Sequence, residues 1–185
     1  MNKKKLIVIK VGAKDLVNKD NRVSRAILYE LVRQITALYE QNILTLLVSS
    51  GAGMAGKEVL HKVTIPQEGI RQQVYCSVGQ PRLMRLYYNT FHHFGMHCAQ
   101  VLATKGDFFE DNTNRNNLLN CYNGLLNEGI IPITNENDAT SLKTMFSDND
   151  ELAVWVAELL KADQLFYFSQ IYGKSMANGL LVENL

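Results

Sequence analysis

Two periodicities alternate along the chain. Leu6 to Val11 and Ile43 to Ser49 are short runs dense in Ile, Val and Leu, and they predict strands buried on both faces, as in a parallel sheet. Between them Ile27, Leu28, Leu31, Val32, Ile35 and Leu38 recur at helical spacing behind Ser24, a residue suited to an N-cap. That is a βαβ unit. The pattern continues with a helix from about Glu68 to Phe94, broken near Gly79 to Pro81 and stopped at Gly95. A strand follows over Met96 to Thr104, then a helix over Asn114 to Asn127 that ends at Gly129, and a strand over Ile130 to Thr134. Asp150 to Leu160 predicts an amphipathic helix and Gln164 to Ser169 a last strand. Repeated alternation of this kind predicts an α/β sandwich with a largely parallel sheet.

Length and composition bound the picture. With 185 residues, 46% of them hydrophobic, the chain is long enough for one domain with a sizeable core, and residues 1–185 read as a single domain. The net charge of +1 supplies no global field for nucleic acid or an anionic membrane, so neither is expected as a partner. An anion must be caught by local groups. Cys76, Cys98 and Cys121 are widely spaced and read as reduced core thiols of a cytoplasmic protein. The basic start MNKKK leads into only a short apolar run, which reads as a first strand, and no stretch approaches a membrane span.

In open parallel sheets ligands collect beyond the carboxyl ends of the strands. Four polar clusters fall there: Lys10 to Gly12, Ser49 to Gly53, Asn135 to Asp138, and Ser147 to Asp150. The second contains Gly51-x-Gly53-x-x-Gly56, the spacing of a dinucleotide fingerprint. That reading requires an acidic residue about 20 positions on, at the end of the next strand. Glu68 to Arg71 stand at that distance with no strand before them, so the context fails. What survives is a glycine turn at a helix start, whose backbone N–H groups can face an anion, or which simply lets the chain reverse and a helix pack closely.

Lys10 sits at the end of what should be a central strand, where a cation needs an anionic partner or must reach out to water. Asn137, Asp138, Asn149 and Asp150 offer carboxylates for an ammonium group or a lysine, and amides for either end of a zwitterion. Asn135 to Asp138 can equally be a turn, and Asp148 a helix cap. Taken together, the clusters place both signs of charge at one end of one sheet, as a phosphate donor and an amino-acid acceptor would need. His92, His93 and His97 do not share a face, and no metal site is expected. Tyr87, Tyr88, Phe91 and Phe94 read as core or subunit contact, and Arg71, Arg82 and Arg85 as an interface or a substrate mouth.

The segments IVIKVG, LLVSSGAGMAG, SVGQPRLMRLY, GMHCAQVLAT, NRNNLL, GIIPITNENDAT and SDNDELAVWVAELLKAD occur in the order and spacing of the glutamate 5-kinases, a branch of the amino acid kinase family. From Leu6 to about Phe168 the chain resembles that family. The resemblance implies a three-layer αβα sandwich in a cytoplasmic homo-oligomer. It implies transfer of the γ-phosphoryl group of ATP, with Mg2+, to the side-chain carboxylate of L-glutamate, the first step of proline biosynthesis, often restrained by proline. By matching position, Lys10 would neutralise the transferring group and Asp150 would hold that lysine. Gly51 and Ala52 would lie along the path of transfer, and Ser50, Asp138 and Asn149 would bind glutamate. Lys10, Gly12 and Ser169 would meet the nucleotide.

The sequence departs from the family at four places. Ser169-Gln170 stands where the family has Thr-Asp, Ser147 replaces a glycine, Pro81 replaces a small or polar residue, and Gly53-Met54 replaces a β-branched choice. The family also continues for about another 80 residues, as a complete kinase core of typical domain size requires, with a glycine-rich loop and a second lysine for the nucleotide. Lys174 lacks that loop context. The expectation is therefore a fold lacking its C-terminal, nucleotide-binding part, and lacking an RNA-binding-like C-terminal domain. Three readings follow: a glutamate 5-kinase or its amino-acid-binding part, a non-catalytic glutamate-binding or regulatory relative, and a sibling kinase acting on another carboxylate or a carbamate.

Overall fold

The computed structural model describes residues 4–109, 112–140 and 149–169, and the backbone of 180–183. Five strands, β1 (Leu6–Val11), β2 (Leu44–Ser49), β3 (Cys98–Ala103), β4 (Ile131–Glu136) and β5 (Gln164–Phe168), run parallel, and β6 (Leu180–Glu183) adds antiparallel to β5. The order across the sheet is β3-β4-β2-β1-β5-β6, so β1 is central and pairs with β2 and β5. Among the described residues six helices cover the two faces: α1 (Arg25–Glu40), α2 (Ala52–Val59), α3 (Glu68–His93), α4 (Lys105–Phe109), α5 (Asn112–Asn127) and α6 (Asn149–Leu160). The result is an α/β sandwich with a largely parallel sheet, as the alternation predicts, in the three-layer αβα arrangement that the resemblance implies.

Alternation along β1 explains the two cores. Ile7, Ile9 and Val11 face α1 and α3, where Leu28, Leu31, Val32, Ile35, Leu83, Tyr87 and Phe91 are buried. Val8 faces the other way and joins Val48, Tyr122, Leu152 and Val156 of β2, α5 and α6. Lys10 has the parity of Val8, so it leaves the sheet on the α6 side. Helix ends follow ordinary chemistry: Ser24 Oγ accepts the Ile27 N–H at the start of α1, and Gly95 and Gly129 take positive φ after α3 and α5.

The structure corrects the sequence reading in several places. α3 is one helix of 26 residues that passes through Pro81 without a break. Proline removes one backbone bond at a cost of about 3 kcal/mol, but Gly79 is pressed on α2 just before it and Leu83, Tyr87 and Phe91 are buried just after it, so packing holds both halves in line. β4 continues through Asn135 and Glu136, positions that the sequence reads equally as a turn, because Asn135 is buried and hydrogen-bonded. α4, β6 and a 3-10 turn over Ala13–Leu16 carry no strong periodicity and are not anticipated. Only Cys76 is fully buried; Cys98 is half-buried and Cys121 exposed, all three free. Among the described residues no helix is long and apolar enough to cross a membrane.

Candidate functional site

The carboxyl ends of β1, β2 and β4 border a cavity of about 480 Å3, walled also by the starts of α2 and α6. β2 ends at Ser49, whose Oγ lies 2.8 Å from the hydroxyl of fully buried Tyr87. Burial pushes the Tyr87 phenol well above its ordinary range, so this hydroxyl stays protonated and serves to anchor the strand end. Ser50 N–H then donates to Val11 O at 3.0 Å, tying the loop after β2 to the end of β1. Gly51 follows with φ 114° and ψ −4°, a left-handed conformation that glycine adopts freely, and this turn starts α2 at Ala52. The first amides of α2 therefore border the cavity.

The three glycines of this segment have separate uses. Gly51 turns the chain. A Cβ on Gly53 would stand 2.5 Å from Gln72 Nε2, and one on Gly56 would strike the Tyr75 carbonyl. Gly79 of α3 comes equally close to Ala52 O and Gly56 N. Gly53 and Gly56 are thus packing residues of α2 against α3, a helix pair and not a helix on the sheet. The dinucleotide pattern is a by-product of that crossing.

Lys10 is largely buried, at 12% side-chain exposure, and ion-paired with Asp150 in the first turn of α6. Its Nζ also lies 6.0 Å from the ring centroid of Tyr167, the residue opposite it on β5. A cation at the end of a central strand thus has the anionic partner that its burial demands. Asp150, 46% exposed, also sits at the positive end of α6. It stands behind Lys10, outside the cavity lining. On the other side of Lys10, Gly12 opens the 3-10 turn, and a Cβ there would lie 2.7 Å from Asp15 Oδ2 and 3.7 Å from Lys10 Nζ. Ser169, just after β5, donates to Asp15 Oδ1 at 3.4 Å.

Asn149 opens α6 and spans the far wall. Its Nδ2 donates to Ser50 Oγ at 2.7 Å and to Asn135 Oδ1 at 3.0 Å, while its buried Oδ1 has no hydrogen-bond partner among the described residues. Asp138, in the turn after β4, lines the same cavity.

Lys10, Gly12, Ser50, Gly51, Ala52, Asp138 and Asn149 therefore meet at one cavity; Asp150 reaches it through Lys10 and Ser169 through Asp15. Ser147, Asp148, Gln170 and Lys174 lie outside the described residues. The structure adds Asp15, Lys14 and Lys57 to the neighbourhood and keeps Asn135 of the third cluster in it. The signal for Asn135 was its place at the head of the NENDAT cluster. Lys14, Asp15 and Lys57 carried none, since exposed charges near turns are commonplace. Arg82 belongs elsewhere: it pairs with Glu58 at 2.6 Å and, with Arg25 and Arg85, lines a separate depression of about 320 Å3. Tyr87 and Phe91 are core, while Tyr88 is exposed.

Fold and site define an αβα-sandwich protein with a mixed-charge cavity at the carboxyl edge of its parallel strands. The sequence model of the Amino acid kinase family matches residues 5–184, and the chain belongs to that family. It is 37% identical over 174 residues to the glutamate 5-kinase of Alkaliphilus oremlandii (strain OhILAs), covering 94% of this chain and 66% of that protein. The glutamate 5-kinase of Alkaliphilus metalliredigens (strain QYMF) is 37% identical over 100% of this chain and 72% of its own length. That of Streptococcus agalactiae serotype III (strain NEM316) is 40% identical over 90% and 64%. The chain thus spans about two thirds of the length of these curated relatives.

Proposed function

We propose that this chain carries the glutamate-binding and phosphoryl-transfer face of a glutamate 5-kinase, which makes glutamyl 5-phosphate from L-glutamate and ATP as the entry to proline biosynthesis. The observation that carries the reading is the Lys10–Asp150 pair set beside the Gly51–Ala52 turn, across one cavity from Ser50, Asp138 and Asn149. The names of the similar proteins supply the substrate.

In this proposal the side-chain carboxylate of glutamate is the nucleophile. Its oxygen forms the new bond to the γ-phosphorus as the bond to the β–γ bridging oxygen breaks, and ADP leaves with that electron pair. The protein's part is positioning and charge neutralisation. Lys10 meets the charge of the phosphoryl group, with Asp150 fixing its side chain. The amides at the start of α2 face the same charge. Asp138 receives the ammonium group of glutamate, and the Ser50 hydroxyl one of its carboxylates.

Among the described residues no three His, Cys, Asp or Glu side chains gather as a metal cage. A magnesium ion carried on phosphate oxygens and water takes only one or two protein carboxylates, for which Asp15, beside Gly12 and Ser169, is the candidate. When bound, the ion would supply further neutralisation of phosphate charge. Restraint by proline, self-association and a cytoplasmic location belong to the same proposal.

The test is formation of the acyl phosphate, trapped with hydroxylamine as a hydroxamate, from glutamate and ATP-magnesium. The full chain is expected to yield the hydroxamate and Lys10→Met to lower its rate at least about a hundredfold. Glutamate binding without product would favour the non-catalytic reading, for which Ser169-Gln170 in place of the family's Thr-Asp is the sequence argument.

A further inference from the structure

Four side-chain amides form one chain of hydrogen bonds from the cavity to the far side of the sheet. Asn149 Nδ2 donates to Asn135 Oδ1 at 3.0 Å, Asn135 Nδ2 to Gln80 Oε1 at 2.9 Å, and Gln80 Nε2 to Gln100 Oε1 at 3.2 Å. Asn135 and Gln80 are buried, at 3% and 9% exposure. Amides can be turned end for end, so such a chain needs something to set its direction. Here the backbone does so: the Glu136 N–H, which can only donate, points to Asn135 Oδ1 at 2.9 Å. Asn135 must then present Nδ2 to Gln80, and Asn149 must present Nδ2 to Asn135.

The consequence reaches the cavity. With both hydrogens of Asn149 Nδ2 committed to Asn135 and Ser50, its buried Oδ1 is left as an acceptor with no hydrogen-bond partner among the described residues. Ser50 Oγ, already accepting from Asn149, keeps its own hydrogen to donate. We infer that Gln80 and Asn135 are positioning residues: Asn135, turned by the Glu136 N–H and held at its Nδ2 by Gln80, keeps the Asn149–Ser50 pair in one direction, so that the site offers an acceptor to an ammonium group and a hydroxyl donor to a carboxylate. This deepens the proposed glutamate site and rests on it. Gln80 lies in α3, on the opposite layer from α6, so a side chain that opens a helix on one face of the sheet is steadied from the other.

The test compares Gln80→Met, which removes the acceptor at nearly constant volume, with Gln80→Glu, which keeps an oxygen for Asn135 while the Gln100 amide turns over to donate to it. Glutamate affinity is read by calorimetry and the Asn149 side-chain amide by 15N NMR. The methionine variant is expected to weaken glutamate about tenfold, and the glutamate variant to stay within about threefold of the parent although burying a charge lowers its melting temperature. A purely structural role would make affinity follow melting temperature in both variants, and that result would overturn the inference. So would a methionine variant with unchanged affinity and an unchanged Asn149 amide. Should that variant not fold, Asn135→Ala reads the same link, with loss of affinity and a shifted Asn149 amide expected, and no change in either contradicting it. If the parent chain binds no glutamate, the functional reading fails, and the Asn149 amide alone decides: a shift with faster exchange in Gln80→Met supports the relay, and an unmoved resonance removes it.

Discussion

Gly12 shows how one missing side chain organises this site. The space that a Cβ would fill is bordered by Asp15 Oδ2 and Lys10 Nζ, so Gly12→Ala must push the carboxylate aside. Because that carboxylate ends a flexible side chain, the melting temperature is expected to change by no more than about 2 °C, while a displacement near 1 Å lowers phosphoryl transfer by about tenfold or more. Parallel melting and rate measurements check this, and an unaltered rate would remove Asp15 and Gly12 from the site. The thiols give a second residue-scale expectation. Burial pushes the Cys98 thiol up to about 11, so below that pH it stays protonated and thiolate is scarce at pH 8. Cys121 is exposed and Cys76 buried. Iodoacetamide at pH 8 should therefore modify Cys121 first and reach the other two only on unfolding, as mass spectrometry of timed samples would record; equal rates at all three would contradict the packing.

Among the elements, the crossing of α2 and α3 is the most demanding contact. Gly56 and Gly79 bring the two backbones so close that a Cβ on either would overlap main-chain atoms, which cannot move aside singly. Gly79→Ala is expected to cost at least about 1–3 kcal/mol and to disturb the Gly51 turn that α2 carries. Gly124, in exposed α5 with open space around it, is the control: Gly124→Ala should gain about 0.5–1 kcal/mol. Denaturant melts of the two variants should move in opposite directions. This crossing also explains what the sequence made legible and what it hid. Strands β1, β2 and β5 and helices α1 and α6 declare themselves by periodicity, because each buries a continuous stripe or run. The unbroken course of α3 through Pro81 was hidden, since only its packing partners reveal why the helix survives the proline. Lys10, Ser50 and Asp138 were legible as polar residues at strand ends, and Asn149 as one at a helix start. The relay of Gln80, Gln100 and Asn135 was not, because glutamines on a helix and an edge strand look like solvent-facing positions until the sheet order brings β3 beside β4.

At the scale of the whole molecule, the cavity is assembled from segments far apart in sequence: β1, the β2–α2 turn, the end of β4 and the start of α6. A ligand held there bridges both helical layers and the sheet, and so opposes global unfolding. Glutamate at a hundredfold excess over its dissociation constant should stabilise the chain by about 2.7 kcal/mol, which is about 5–10 °C in melting temperature for a domain of this length. The measurement closest to the central claim is the calorimetric titration of L-glutamate into the full chain and into Asp138→Ala, whose carboxylate the account assigns to the ligand's ammonium group. The account predicts saturable binding by the parent chain, with affinity lowered at least about tenfold in the variant. Equal affinity in the two proteins, or no binding by a folded parent chain, would contradict it.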